Sequence, residues 1–163
     1  MPMIELQTTI DAPIERCFDL ARSIDFPVVT TGKTQERAVA GRMSGLIGLD
    51  ETVTWNAKHF GVWQELTVKV TAFDRPRHFQ DAMIKGAFAS MRHDHHFEAR
   101  EGATIMLDEF RFQSPMGPLG ALADRIFLKR YMHRFLVERA RILRSTAESD
   151  AWRPFLGGVG ANG

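Results

Sequence analysis

Residues 91–113 read "MRHDHHFEAREGATIMLDEFRFQ". Successive residues of a strand face opposite sides of a sheet, so parity sorts this stretch. Met91, His93, His95 and Phe97 share one side, and Arg92, Asp94, His96 and Glu98 share the other. The first set holds the large apolar residues, so it is predicted to face the interior and to take His93 and His95 with it. The second set is polar throughout and is predicted to face water. Beyond the turn signal "REGA", Thr104, Met106, Asp108, Phe110 and Phe112 form a matching inward set. With Glu101 and Gly102 as the central turn residues, Arg100 pairs with Ala103, Phe97 with Met106, His95 with Asp108 and His93 with Phe110. A slip of one residue would set Phe97 and His95 on the face opposite Phe110, which the apolar pattern rejects. Directly opposed side chains stand about 5 Å apart at Cβ. A His95–Asp108 hydrogen bond is therefore predicted.

The same period of two extends back along the chain. It predicts strands near 35–40, 50–58, 62–73, 78–84, 88–99 and 103–113, separated by turn signals such as "HFG", "DRPRH" and "KGA". Consecutive hairpins imply an antiparallel meander. On the strand before the histidines, Phe79, Asp81 and Met83 share a parity, and Asp81 falls near Met91 or His93, so an Asp81–His93 pair is the second expectation. Before the meander, Ile4, Leu6, Thr8 and Ile10 alternate and predict a first strand over 3–10. "DAPIERCFDLARS" predicts a helix with Asp11 as its cap and Pro13 early, where no intrahelical hydrogen bond is lost. "SIDFPVVTTGKT" predicts a short helical turn interrupted by Pro27 and ended near Gly32. After "SPMGPLG", a helix is predicted from about 118 to 147, with an apolar band from Leu119 through Tyr131 to Leu143 and a basic face. A long sheet must curl, and this helix is the one element long enough to cover its inner face. The expected architecture is α+β, β-α-α-β6-α, a seven-stranded curved sheet around the C-terminal helix with an internal cavity. Residues 1–148 form the domain and 149–163 a Gly-rich tail that docks on the body or on a second subunit.

Bulk properties narrow the function. The chain has 163 residues and a formal net charge of +1, so neither nucleic acid nor an anionic membrane is a default partner. The single cysteine, Cys17, excludes an intrachain disulfide and a zinc site made of cysteines; it lies on an apolar helix face and reads as an inert core thiol. No signal segment or apolar run of about 20 residues is present, and a cytoplasmic setting is expected. No Gly-x-Ser-x-Gly elbow, phosphate loop or dinucleotide fingerprint occurs.

Several stretches resemble the START/Bet v 1-like (SRPBCC) superfamily, the polyketide cyclase/dehydrase and lipid transport proteins. "TIDAPIERCFDLARSID" (9–25) looks like the opening of that family, and "GRMSGLIG" (41–48) resembles its glycine loop. "FQDAMIKGAFASMRHDHHFEAREGATIMLDEF" (79–110) is similar to a bacterial subgroup with Phe-x-Asp, a glycine turn and His-x-His-x-Phe. "SPMGPLGALADRIFLKRYM" (114–132) looks like the subgroup's approach to its last helix. Ala87 stands where relatives often carry proline, and Met83 where a polar residue is frequent. The resemblance implies a helix-grip fold with a pocket for small hydrophobic ligands, and no single reaction.

The candidate site follows. His93, His95, Asp81 and Asp108 are expected as a polar floor, since buried polar groups must pair. Met83, Met91, Trp55, Phe110 and Tyr131 are expected as walls, with access near Phe26–Thr31 and a mobile 42–48 loop. The expected function is binding or transport of a small-to-medium hydrophobic molecule: polyketide, isoprenoid, quinone or lipid-like. The alternative is an aromatase/cyclase or dehydratase with His95, oriented by Asp108, as general base. A metal among these histidines is the weaker reading, because Glu98 has outward parity and each histidine reads better as a carboxylate partner. No cofactor is expected. His59, beside a turn, is expected in solvent.

Overall fold

The computed structural model describes residues 2–30, 34–115, 117, 118, 122 and 124–157. Seven strands form one antiparallel sheet: β1 (Met3–Ile10), β2 (Arg37–Gly41), β3 (Thr52–His59), β4 (Val62–Asp74), β5 (His78–Lys85), β6 (Ser90–Arg100) and β7 (Ala103–Gln113). Their spatial order is β1-β7-β6-β5-β4-β3-β2, so the meander runs outward from β7 and the first strand closes against the last. The predicted register of the β6–β7 hairpin is the observed one: Phe97 opposes Met106, His95 opposes Asp108 and His93 opposes Phe110. Its turn needs left-handed backbone at both central residues, and Glu101 (φ 52°) and Gly102 (φ 81°) supply it. Bulges between β4 and β5, at Thr67/Val68 and Val70/Ala72, bend the sheet where it wraps the helix.

Two short helices, α1 (Ile14–Ala21) and α2 (Asp25–Thr30), follow β1. Asp11 does not cap α1. Pro13 takes the N-cap position without a side-chain bond, and the Asp11 N–H instead donates to Glu148 Oε1 at 3.2 Å. Pro27 does not interrupt α2, because the helix begins at Asp25 and leaves the proline in the first turn, where an N–H has no intrahelical partner. The predicted end near Gly32 lies outside the described residues. Asp19 on α1 is buried and clamps Arg22 (2.8 Å) and Arg75 (2.7 Å), tying the helix to the β4–β5 turn.

Helical backbone is already present at Gly117, Pro118 and Leu122, in agreement with a C-terminal helix that starts near 118. A π-helical turn spans Asp124–Leu128, and regular helix α3 runs from Lys129 to Ala147. Leu119 lies outside the described residues. Leu122, Ile126 and Phe127 are exposed rather than core, since they precede the part of the helix that lies in the sheet. Past α3, a 3₁₀ turn (Asp150–Trp152) and α4 (Arg153–Leu156) fold back on the body. Phe155 packs edge-on against Phe26 at 5.4 Å, and the Arg16 guanidinium sits 4.2 Å above the Trp152 ring.

The interior divides into two apolar clusters. In one, Phe18 of α1 meets Phe73, Phe79 and Phe97 edge-on at 5.3–5.4 Å, beside Leu143 and Ala147 of α3. Cys17 is fully buried there. In the other, Val53, Val68, Val70, Met91, Phe110 and Phe112 pack with Leu136. Helix α3 joins both, and its middle spans the sheet between them. No helix among the described residues is long and apolar enough to cross a membrane.

Candidate functional site

A cavity of about 430 Å³ lies between the inner face of the sheet and α3. Strand alternation builds its walls. Val53, Trp55, Ala57 and His59 line it from β3, Met91, His93 and His95 from β6, and Met106, Asp108 and Phe110 from β7. Tyr131, Met132, Phe135 and Leu136 line it from the opposite side. Met83 is absent from the lining. It packs against the second cluster, and its sulfur lies beside Gly86, because the bulge at Thr67/Val68 turns the end of β5 away. Phe26 and Ile47 reach the lining from the expected access region, while Thr31 lies outside the described residues. The 42–48 loop is held to the α1–α2 segment. Ile24 N–H donates to the Gly45 carbonyl at 2.8 Å, and Gly45 N–H donates to Asp25 Oδ2 at 2.9 Å.

The polar floor comes from β5, β6 and β7. Backbone register sets Asp81 opposite His93 and His95 opposite Asp108. The side chains cross this ladder. His93 Nε2 bonds Asp108 Oδ1 at 3.0 Å, and His95 Nε2 bonds Asp81 Oδ1 at 3.0 Å. The expected Asp81–His93 hydrogen bond is thus replaced by the diagonal one, which an imidazole's length permits. His95 also keeps its predicted partner, with Nδ1 lying 3.0 Å from Asp108 Oδ1.

Both nitrogens of His95 face carboxylate oxygens, an arrangement that the imidazolium satisfies as a double donor. Burial acts to lower its pKa, but bonds to Asp108 and Asp81 outweigh burial and raise it to about 9. His93 goes the other way. Burial lowers its pKa, the adjacent His95 charge adds to that, and the Asp108 bond only partly offsets them. Both carboxylates are held below their usual range, since bonds to His93 and His95 at Asp108, and to His95 at Asp81, overcome the effect of burial. At neutral pH the floor therefore carries a fixed imidazolium between two carboxylates, with a neutral imidazole beside it. The Phe79 ring covers His95 face to face at 4.2 Å. An imidazolium has no lone pair to accept a proton, so in this protonation state the free ring nitrogen belongs to His93.

Three further lining residues escaped the sequence reading. His59 is not in solvent. Its Nδ1 shares a hydrogen bond with the Tyr131 hydroxyl at 2.6 Å, with burial lowering the imidazole's pKa and raising the phenol's. Continuing the parity of Val53, Trp55 and Ala57 by one step would have placed it inside. Arg139 and Glu36 also line the cavity, their nearest charged atoms 3.8 Å apart. Arg139 lies one helical turn from Phe135 and Leu136, on the face turned inward.

The outer face of the same strands also differs from expectation. Asp94 has the predicted outward parity, yet it is buried. His78 Nε2 and Gln80 Nε2 from the adjoining strand cover it, at 2.8 and 2.7 Å from its Oδ1. Among the described residues, two groups have donor atoms gathered closely enough for a metal ion: Asp81, His93 and His95 inside, and His78, Asp94 and His96 outside.

No protein-family model matches the sequence, and no curated protein does. Solved structures do match in shape. A Thermus thermophilus protein superposes with a TM-score of 0.73 at 15% identity, over 90% of this chain and 97% of that one. A START superfamily protein from Mycobacterium smegmatis gives 0.68 at 10% identity, over 90% and 97%. The major latex-like protein 151 from Panax ginseng gives 0.65 at 14% identity, over 91% and 98%. These agreements run along nearly the whole of each chain, and they include the curved antiparallel sheet and the helix it holds. The chain has the helix-grip fold of the START and Bet v 1-like proteins.

Proposed function

We propose that the protein binds and carries a small-to-medium hydrophobic molecule in this cavity, of polyketide, isoprenoid, quinone or lipid-like character. The observation that carries the reading is a 430 Å³ space with apolar walls and one charged, fully paired floor. That volume lies within the range of small-molecule sites. Trp55, Met91, Phe110 and Phe135 supply affinity through burial, at roughly 25 cal/mol per Å². His93 supplies orientation. With its Nε2 proton given to Asp108, Nδ1 of the neutral ring is an acceptor for a ligand hydroxyl or enol. Native mass spectrometry of protein purified from its own cells tests this. A bound apolar molecule of defined mass is expected, and its occupancy should fall in Trp55→Ala. A chain that is empty from its own cells, and that takes up no apolar dye, would sink the reading.

One observation favours a second reading, in which the site performs proton transfer on a polyketone, as an aromatase/cyclase or dehydratase does. A neutral His93 braced by Asp108 stands beside a charged His95, their ring centroids 3.8 Å apart. His93 would take a proton next to a ketone, and the His95 charge would steady the resulting enolate. His93→Ala separates the two readings. A carrier keeps its ligand with modest loss, whereas an enzyme loses about 100-fold or more in turnover.

A further inference from the structure

The outer side of β5 and β6 carries a polar cluster that the cavity does not use. His78 opposes His96, and Gln80 opposes Asp94, so all four side chains leave the sheet on the side away from α3. The two imidazole rings lie parallel with centroids 4.5 Å apart. His78 Nε2 stands 2.8 Å from Asp94 Oδ1. One donor atom each from His78, Asp94 and His96 falls within 4.8 Å of the others. His78 and His96 border a cleft together with Gln7, Glu98 and Arg100.

We propose that His78, Asp94 and His96 form a binding site for a divalent first-row transition ion such as zinc. Two imidazole nitrogens and one carboxylate oxygen are a donor set that such ions favour, and they leave a coordination position open toward the cleft. The parts are prepared for it. Asp94 is buried, and the Gln80 amide donates to it at 2.7 Å, so its carboxylate is already oriented from behind. The hydrogen bonds from His78 and Gln80 both fall on Oδ1, and the Arg92 guanidinium stands 3.5 Å from Oδ2. The His78–Asp94 contact shares a proton that a dication would displace. The His96 side chain makes no hydrogen bond among the described residues; its half-buried ring is held by stacking on His78. A tetrahedral ion spaces its donors about 3.4 Å apart, and the three donor atoms already lie within 4.8 Å of one another. The inner group offers a poorer site, because both nitrogens of His95 already donate to carboxylates.

Calorimetric titration of the full chain with zinc chloride tests the proposal. One ion per chain is expected. Gln80→Ala, which removes only the orienting amide, should weaken binding by about 10-fold. His96→Ala should abolish saturable binding while circular dichroism shows an unchanged fold. Cobalt should give visible bands of a nitrogen and oxygen site that disappear in the same variant. His133→Ala, at an exposed histidine of α3, should bind zinc as the unaltered chain does. Absence of saturable binding, equal affinity in His96→Ala, or loss of binding in His133→Ala would each overturn the assignment.

Discussion

Strands β5 and β6 carry histidine and aspartate on both faces, and the two faces use them differently. Inside, His93, His95, Asp81 and Asp108 are largely closed off from solvent, and both carboxylates bond to the same imidazolium, His95. Outside, one buried carboxylate, Asp94, serves two partners, and His96 rests on a ring face alone. The inner arrangement is a single coupled unit whose protons are assigned by burial. The outer arrangement is a set of parts that can be rearranged. The same residue types at a spacing of two therefore yield a rigid floor on one face and an adaptable surface on the other. Dielectric environment decides which.

The sharpest way to break this comparison is to remove one carboxylate from each face. Asp108→Ala leaves His93 without its acceptor and His95 with half of its own, so it should cost about 3–5 kcal/mol. Asp94→Ala should cost only about 1–2 kcal/mol, because His78 can turn to water. Urea unfolding at neutral pH measures both, and equal losses would mean that the two faces are energetically alike.

The next effect is pH dependence. His95 has a folded pKa of about 9 against 6.5 unfolded, so its contribution is complete below pH 6.5 and is lost as pH rises through 9. The loss is on the order of 3 kcal/mol. His93 has a lowered pKa, so the unfolded chain takes up its proton first and stability falls as pH drops below 6.5. Asp81 and Asp108 deepen that acid loss below about pH 4. Stability should thus peak near pH 6.5, and His95→Gln should flatten the alkaline side in a thermal-melt series.

Smaller effects extend the contrast to the neighbouring strands. Trp55→Ala opens the cavity wall and should weaken apolar dye binding by about 10-fold, a loss near 1.4 kcal/mol. Trp63→Ala, at a side chain 47% exposed, should leave dye binding unchanged and stability within about 0.5 kcal/mol. Smallest of all, Arg100→Ala breaks an exposed pair with Glu98 and should move the urea midpoint by less than about 0.5 kcal/mol of stability.

Parity made much of this legible in the sequence. Phe97, Phe110 and Met106 mark the inner face so plainly that the β6–β7 register follows from them alone. What parity could not reach was anything set by a third strand. Asp94 points outward, yet His78 and Gln80 close over it, and that covering depends on the β5–β6 register across a turn of uncertain length. The diagonal bonds of His93 and His95 depend on side-chain reach, not on backbone pairing. Helix periodicity placed Tyr131, Leu136 and Leu143 correctly. It overran at Ile126 and Phe127, where apolar residues continue the pattern but the helix has already left the sheet.

The pairing of β1 with β7 bears on how the chain is made. Met3 sits opposite Arg111 and Ile10 opposite Thr104. A ribosome releases β1 about a hundred residues before its partner, a wait of roughly 5–20 s at ordinary synthesis rates. Through that interval Ile4, Leu6 and Ile10 have no sheet to join, while the hairpins of β2–β6 can close one after another. The last strand thus completes the meander and captures the first, and the floor of the cavity gains Asp108 in the same step.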